Sequence, residues 1–417
     1  MNKNYKYICK DCNTEFDSAL IESKMIYLCP DCGSSKKNTP LKGVLKIEHD
    51  YESLKANYSK DKLLSITAGK IWDYPDLWPI DFNKIDKNDL EKLSLPSNQI
   101  LRYNVDGREL SFQDETRNPT YSYKDRASIL VALKAKELGI NEIAAASTGN
   151  AGSSLAGICA RLGITSHIFV PKNIPEAKRI QIQSYGANIY VVEGDYDQAF
   201  DLCLEVSTKN NWYNRNTAYN PLTIEGKKSA AYDVFINTKG NLPDYIFVPV
   251  GDGVIMSGIY KGFLELKILG LIERLPKLIA VQAEGSCAVV DFISSNRFIY
   301  KPANTIADSI SAGAPRNLYM AVNAVKESNG FGIKVSDDEI LSSQKILAYK
   351  TGLLVEPSCA STFAGYQKVK NKFEKDEKLM LLMTGSGLKD FEALKKWNEK
   401  LSVKSNNEWK SFLIKAS

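Results

Sequence analysis

The chain lacks any apolar run near the roughly 20 residues that span a bilayer, and it contains no block of like charge, no low-complexity tract and no internal repeat. The first absence argues against a membrane protein. Its 54 basic and 49 acidic residues leave a net charge of only +5, and the lysines are scattered, so nucleic acid is not an expected partner. No apolar stretch at the start resembles a secretory signal. The expected compartment is therefore the cytoplasm, where disulfide pairing is not expected.

What is present is ordinary for a soluble protein: 44% hydrophobic and 25% charged residues. At 417 residues the chain exceeds one small core and suits two domains with an appendage. Its eight cysteines divide sharply. Cys159, Cys203, Cys287 and Cys359 are dispersed and read as structural thiols. Cys9, Cys12, Cys29 and Cys32 form two CxxC knuckles sixteen residues apart, each after a short apolar strand. That spacing predicts a zinc ribbon over residues 1–40, with a structural zinc because four thiolates leave no open coordination position.

Residues 41–100 are mixed and lysine-rich, and the aromatic patch Ile71 to Pro79 is expected to pack against a neighbouring surface or subunit. Strand and helix patterns then alternate through Glu142–Ala146, Ser154–Leu162, Ser166–Val170, Ala177–Tyr185, Asn188–Val192 and Tyr196–Thr208. A second series holds Tyr245–Val250, Leu278–Val281 and Lys378–Met383. This predicts an α/β fold of two open twisted-sheet domains with a ligand cleft at the carboxyl ends of their strands. The expected division is a large domain from 41–135 and 231–417, and a small mobile one from 136–230.

Three strands end in glycine-rich polar turns that open helices. Ser147, Thr148, Gly149 and Asn150 offer hydroxyls, an amide and backbone N–H groups that suit a carboxylate. Gly251, Asp252, Gly253, Val254 and Ile255 let a phosphate approach the main chain, without the ending of a nucleotide loop or the dinucleotide glycine spacing. The third turn runs from Thr384 to Asp390. A fourth segment, Asn118-Pro119-Thr120-Tyr121-Ser122-Tyr123-Lys124-Asp125-Arg126, delivers Lys124 to a helix start. There the helix dipole and Arg126 would favour the neutral, nucleophilic amine. A reactive lysine, an anion turn, a phosphate turn and a hydroxyl turn together describe a site for pyridoxal phosphate.

Asn118 to Arg126 resembles the NPTxSxKDR segment of threonine synthases, and Ser147 to Asn150 resembles their STGN loop. Asn220 to Ala231, Glu356-Pro357-Ser358 and Thr384 to Asp390 resemble that family in the same order, so the likeness runs from about residue 70 to 395, and some members share the four-cysteine start. The resemblance implies the tryptophan synthase β-like fold of pyridoxal-phosphate enzymes (fold type II), a homodimer, and an amino-acid substrate. It implies Lys124 as the Schiff-base lysine and proton shuttle at Cα, Asn150 on the ring hydroxyl, Gly251 to Ile255 around the cofactor phosphate, and Thr384 at the pyridine nitrogen. The Ser147 to Asn150 loop would take the substrate carboxylate.

The chain departs from the family at several positions. Thr223 stands where an arginine helps hold the substrate phosphate, Ser386 replaces a histidine, Tyr121 replaces a glycine beside the reacting centre, and no GNTPL segment precedes it. A threonine supplies neither the charge nor the fork of arginine, so another cation, Lys178, Lys227 or Arg126, would have to compensate. The expected activity is elimination of phosphate from O-phosphohomoserine and addition of water to give threonine. The alternatives are β-replacement on an O-activated serine, as in cysteate synthase or diaminopropionate-forming enzymes, and deamination of a hydroxy-amino acid. A regulatory protein on a retired enzyme scaffold, docking through its ribbon, is the alternative outside enzymes.

Overall fold

The computed structural model describes residues 4–414 except 148, 195 and 400. Thirteen strands, in chain order, are β1 (Tyr5–Cys9), β2 (Glu15–Asp17), β3 (Leu45–His49), β4 (Ile100–Val105), β5 (Arg108–Asp114), β6 (Glu142–Ala146), β7 (Thr165–Pro171), β8 (Asn188–Val192), β9 (Tyr213–Asn214), β10 (Tyr245–Pro249), β11 (Lys277–Ala283), β12 (Gly332–Val335) and β13 (Leu379–Met383) among the described residues.

They form three sheets among the described residues. The largest has the order β12-β11-β10-β13-β5-β4, parallel except for the antiparallel edge pair β4–β5. Its central strands read as continuous apolar runs because helices cover both faces; all five residues of β13 are buried. The second sheet, β8-β7-β6-β9, is parallel throughout. The two facing sheets and their helices are the α/β architecture that the strand-helix alternation predicts.

The third sheet, β2-β1-β3, is antiparallel and belongs to the N-terminal ribbon. It extends past the expected boundary at 40, because β3 pairs with β1 from Leu45 to His49.

Helix α1 (Lys124–Glu137) is buried without interruption from Asp125 to Ala135, since it lies between neighbours on every side rather than on a surface. It packs on α2 (Asn150–Leu162) of the smaller sheet and on α5 (Leu222–Asn237), which in turn packs along α6 (Val254–Ile268). Between α2 and α5 lie α3 (Glu176–Ser184) and α4 (Tyr196–Lys209). Positions 135 and 230 therefore fall inside α1 and α5, which tie the two halves together. The aromatic patch packs inward: Tyr74 and Trp78 are buried against Tyr232 of α5, with Lys228 over the Trp78 ring.

Candidate active site

A cavity of about 570 Å³ opens at the carboxyl ends of β6, β7, β10 and β13. Lys124, Ser147, Asn150, Gly251, Asp252, Gly253, Val254, Ile255 and Thr384 all line it, so four segments distant in sequence converge.

The loop before Lys124 is held by its own polar residues. Asn118 donates to the Glu115 carboxylate at 2.6 Å and to the Ser122 carbonyl at 3.2 Å, while Gln99 donates to Asn118 at 2.7 Å. The Tyr123 N–H donates to the Thr384 carbonyl at 2.9 Å, and Ser122 bridges to Gly385. The lysine segment and the last turn are thus stitched together directly, and α1 starts at Lys124 itself.

Burial is the main force pushing the Lys124 ammonium pKa down; Glu356 opposes it and Arg215 reinforces it. This corrects the expectation for Arg126. Its guanidinium is buried among Glu115 (2.8 Å), Asp233 (2.6 Å), Gln99 (2.6 Å) and Ser229 (2.8 Å), and it is absent from the cavity wall. Arg126 is an anchor of the loop. Replacing it by methionine would leave two buried carboxylates unpaired, and a loss of about 3–5 kcal/mol in denaturant unfolding is expected.

Tyr121 is also placed differently from the sequence expectation. Its φ is +66° and its side chain is 53% exposed, off the cavity wall. The glycine of the resembled segment answers a left-handed backbone there, not the reaction. Tyr121→Gly is expected to raise stability by up to about 1 kcal/mol in thermal unfolding, with turnover unchanged.

Asn150 opens α2, and its amide nitrogen donates to Glu356 at 2.7 Å and Ser309 at 2.9 Å. Its carbonyl oxygen is buried and has no hydrogen-bond partner among the described residues, so it can accept from a ligand hydroxyl. Ser147 uses its hydroxyl as acceptor for the Gly149 and Gly152 N–H groups at 3.0 and 2.9 Å, shaping the turn. Gly149 is not on the cavity wall, and Thr148 lies outside the described residues.

At the second turn Gly253 takes φ +89° and caps α6; a Cβ there would come within 2.7 Å of Ala321. Among the described residues no side chain caps this helix, which leaves the N–H groups of its first turn at the cavity, the donor set an anion requires. Asp252 is half-buried and accepts the Arg316 N–H at 3.1 Å, and desolvation pushes its pKa up. Thr384 lines the cavity with its hydroxyl 3.4 Å from the Cys359 sulfur. The orphaned Asn150 oxygen, the uncapped α6 and the cavity-facing Lys124 together fit a phosphorylated aldehyde.

Thr223 does not reach the cavity. It is fully buried in α5, its hydroxyl donating to the Asn220 carbonyl at 2.8 Å. Of the three cations named in place of the arginine, Lys178 is ion-paired with Asp308 at 2.5 Å and Glu356 at 3.0 Å. Lys227 lines the cavity. Sequence reasoning gave no role to Glu356, although its Glu-Pro-Ser segment stood out; it is 1% exposed and joins Asn150 and Lys178 across the cleft. Arg215 also went unread, because a two-residue strand gives no periodic signal.

The four N-terminal sulfurs lie within 4.8 Å of one another, with Cys9–Cys32 at 3.4 Å and Cys12–Cys29 at 3.6 Å. Tetrahedral zinc thiolates place sulfurs ~3.8 Å apart. The geometry fits zinc.

Residues 96–385 match the family model described as pyridoxal-phosphate dependent enzyme. The threonine synthase of Methanocaldococcus jannaschii is 33% identical over 396 residues, 92% of this chain and 93% of that protein. That of Methanosarcina acetivorans is 32% identical over 394 residues, 93% of this chain and 92% of its own length. Among solved structures, maize serine racemase superposes with a TM-score of 0.62 over 81% of this chain and 98% of its own, at 19% identity, a likeness of fold. The chain belongs to the family of pyridoxal-phosphate-dependent enzymes, among the threonine synthases.

Proposed function

We propose that this protein converts O-phosphohomoserine and water into threonine and inorganic phosphate. The observation that carries the reading is the convergence of Lys124, the uncapped α6 start, Asn150 and Thr384 on one cavity, in a chain that matches threonine synthases over most of its length. When bound, pyridoxal phosphate supplies the electron sink that makes a proton at Cα of an amino acid removable.

The chain's own residues do the rest. Lys124 would hold the cofactor and move the Cα proton, and burial lowers the pKa of its ammonium, which favours the neutral amine. The N–H groups at Val254 and Ile255 would hold the cofactor phosphate, Asn150 would accept from the ring hydroxyl, and the Thr384 hydroxyl would stand at the ring nitrogen. The turn from Ser147 to Asn150 takes the substrate carboxylate, and its closure excludes water during proton transfer. Residues 136–230, as a small mobile domain, would carry that motion against residues 41–135 and 231–417. In the reaction Cα and Cβ each give up a proton, the Cγ–oxygen bond breaks and phosphate leaves, and Cγ takes up a proton to become the methyl group. Water adds its hydroxyl at Cβ while its other proton goes to the phosphate, and Cα regains a proton. The reading includes a cytoplasmic homodimer, whose assembly light scattering would check.

The buried position of Thr223 favours a second reading, β-replacement on an O-activated serine. The deciding assay offers O-phosphohomoserine, O-phosphoserine and O-acetylserine separately and follows phosphate, acetate and amino-acid products. Phosphate and threonine from the first compound alone support the leading reading. Turnover of a serine ester without threonine overturns it.

A further inference from the structure

The arginine that Thr223 replaces has a structural successor one helical turn further along α5. Residues four apart share a helix face, and Lys227 stands four positions after Thr223. Lys227 is 1% exposed as a residue yet lines the cavity, and among the described residues its ammonium has no hydrogen bond or ion pair. The other candidates are committed elsewhere: Lys178 to Asp308 and Glu356, Arg126 to Glu115 and Asp233.

Arg215 lies near enough to Lys227 to disfavour its charge. It is fully buried, donates to Thr217 at 2.9 Å and Ser128 at 3.3 Å, and leaves Nη2 buried without a partner. Thr217 is on the cavity wall. Arg316, also on the wall, is paired with Asp197. Buried cations without counter-ions cost stability, and a protein keeps them where a ligand supplies the opposite charge.

We propose that Lys227, backed by Arg215, is the specificity-determining cation for the substrate's phosphate in this chain. The inference rests on the phosphohomoserine reading. The cofactor's phosphate already has the free main-chain donors at the start of α6, which leaves Lys227 for a second dianion. Burial, Arg215 and Lys124 push the Lys227 pKa down and Asp252 opposes them, so an arriving phosphate would favour the charged ammonium.

The test compares wild-type holoenzyme with Lys227→Gln and Lys227→Arg. For Lys227→Gln, KM for O-phosphohomoserine and the inhibition constant of inorganic phosphate are each expected to rise about 10-fold or more. Expected alongside are a smaller effect on kcat than on KM, unchanged cofactor content after dialysis, and a melting temperature no lower than wild type. Lys227→Arg is expected to restore much of the phosphate affinity. Unchanged KM and phosphate inhibition would overturn the proposal. So would loss of cofactor with KM unchanged, which would assign Lys227 to the cofactor. Calorimetric titration of each holoenzyme with inorganic phosphate needs no turnover. Weaker binding to Lys227→Gln there supports the anion site even if wild type fails to make threonine, and equal binding overturns it.

Discussion

Lys124→Ala is expected to abolish the visible absorbance of bound cofactor and to lower turnover by about 10³-fold or more. The effect is large because no other group can take over. The other lysines at or near the cavity are Lys227 in α5 and Lys178, which is already ion-paired, while Lys389 is buried on Thr120, Ser153 and Gln181. The fold should survive. Lys124 opens α1 with no ion pair among the described residues, and burial already disfavours its charge, so truncation leaves no carboxylate stranded. Circular dichroism should therefore match wild type while the absorbance disappears. Borohydride reduction of wild type followed by peptide mapping should find the cofactor on Lys124; attachment at Lys227 would move the reactive amine to α5.

Removing the ribbon's metal is the second large perturbation. The ribbon has little core of its own, so Cys29→Ser or chelation is expected to unfold it. The damage should travel inward, because Leu41 and Val44 pack with Ala218, Ile224 and Val254, the last being the first residue of α6. Exposing two such side chains costs about 3–6 kcal/mol. Arg316 also ties the ribbon to the site: it accepts the Leu41 N–H at 3.2 Å, donates to the Thr39 carbonyl at 3.4 Å, and gives its own N–H to Asp252. Cofactor retention should fall with metal content, measured by atomic absorption beside visible absorbance. A demetallated protein with unchanged melting and full cofactor would show that the ribbon is independent of the site.

The motifs were legible because each needs a particular backbone chemistry. Asn150, the turn from Gly251 to Ile255, and Thr384 follow strands whose apolar runs are unambiguous, Lys124 opens a helix marked by Pro119 and an apolar helical run, and all reach the cavity. Positions read only through their chemistry with a ligand fared differently. Tyr121 and Thr223 both sit at points of the resembled segments, but a left-handed backbone governs the first and helix packing the second. Sequence spacing cannot say which side of a helix faces a cavity until the neighbours are placed. Arg126 illustrates the same limit: adjacency to Lys124 suggested an electrostatic role, whereas two buried carboxylates from distant segments claim its guanidinium. The pairing of β4 with β5 and the short β9 were missed because a strand of mixed polarity or two residues carries no period to read.

The central claim is best tested by incubating the purified, cofactor-loaded protein with O-phosphohomoserine and measuring inorganic phosphate and threonine together. The account predicts one phosphate for each threonine, at a rate abolished in Lys124→Ala. Phosphate released without threonine, or neither product, would contradict it.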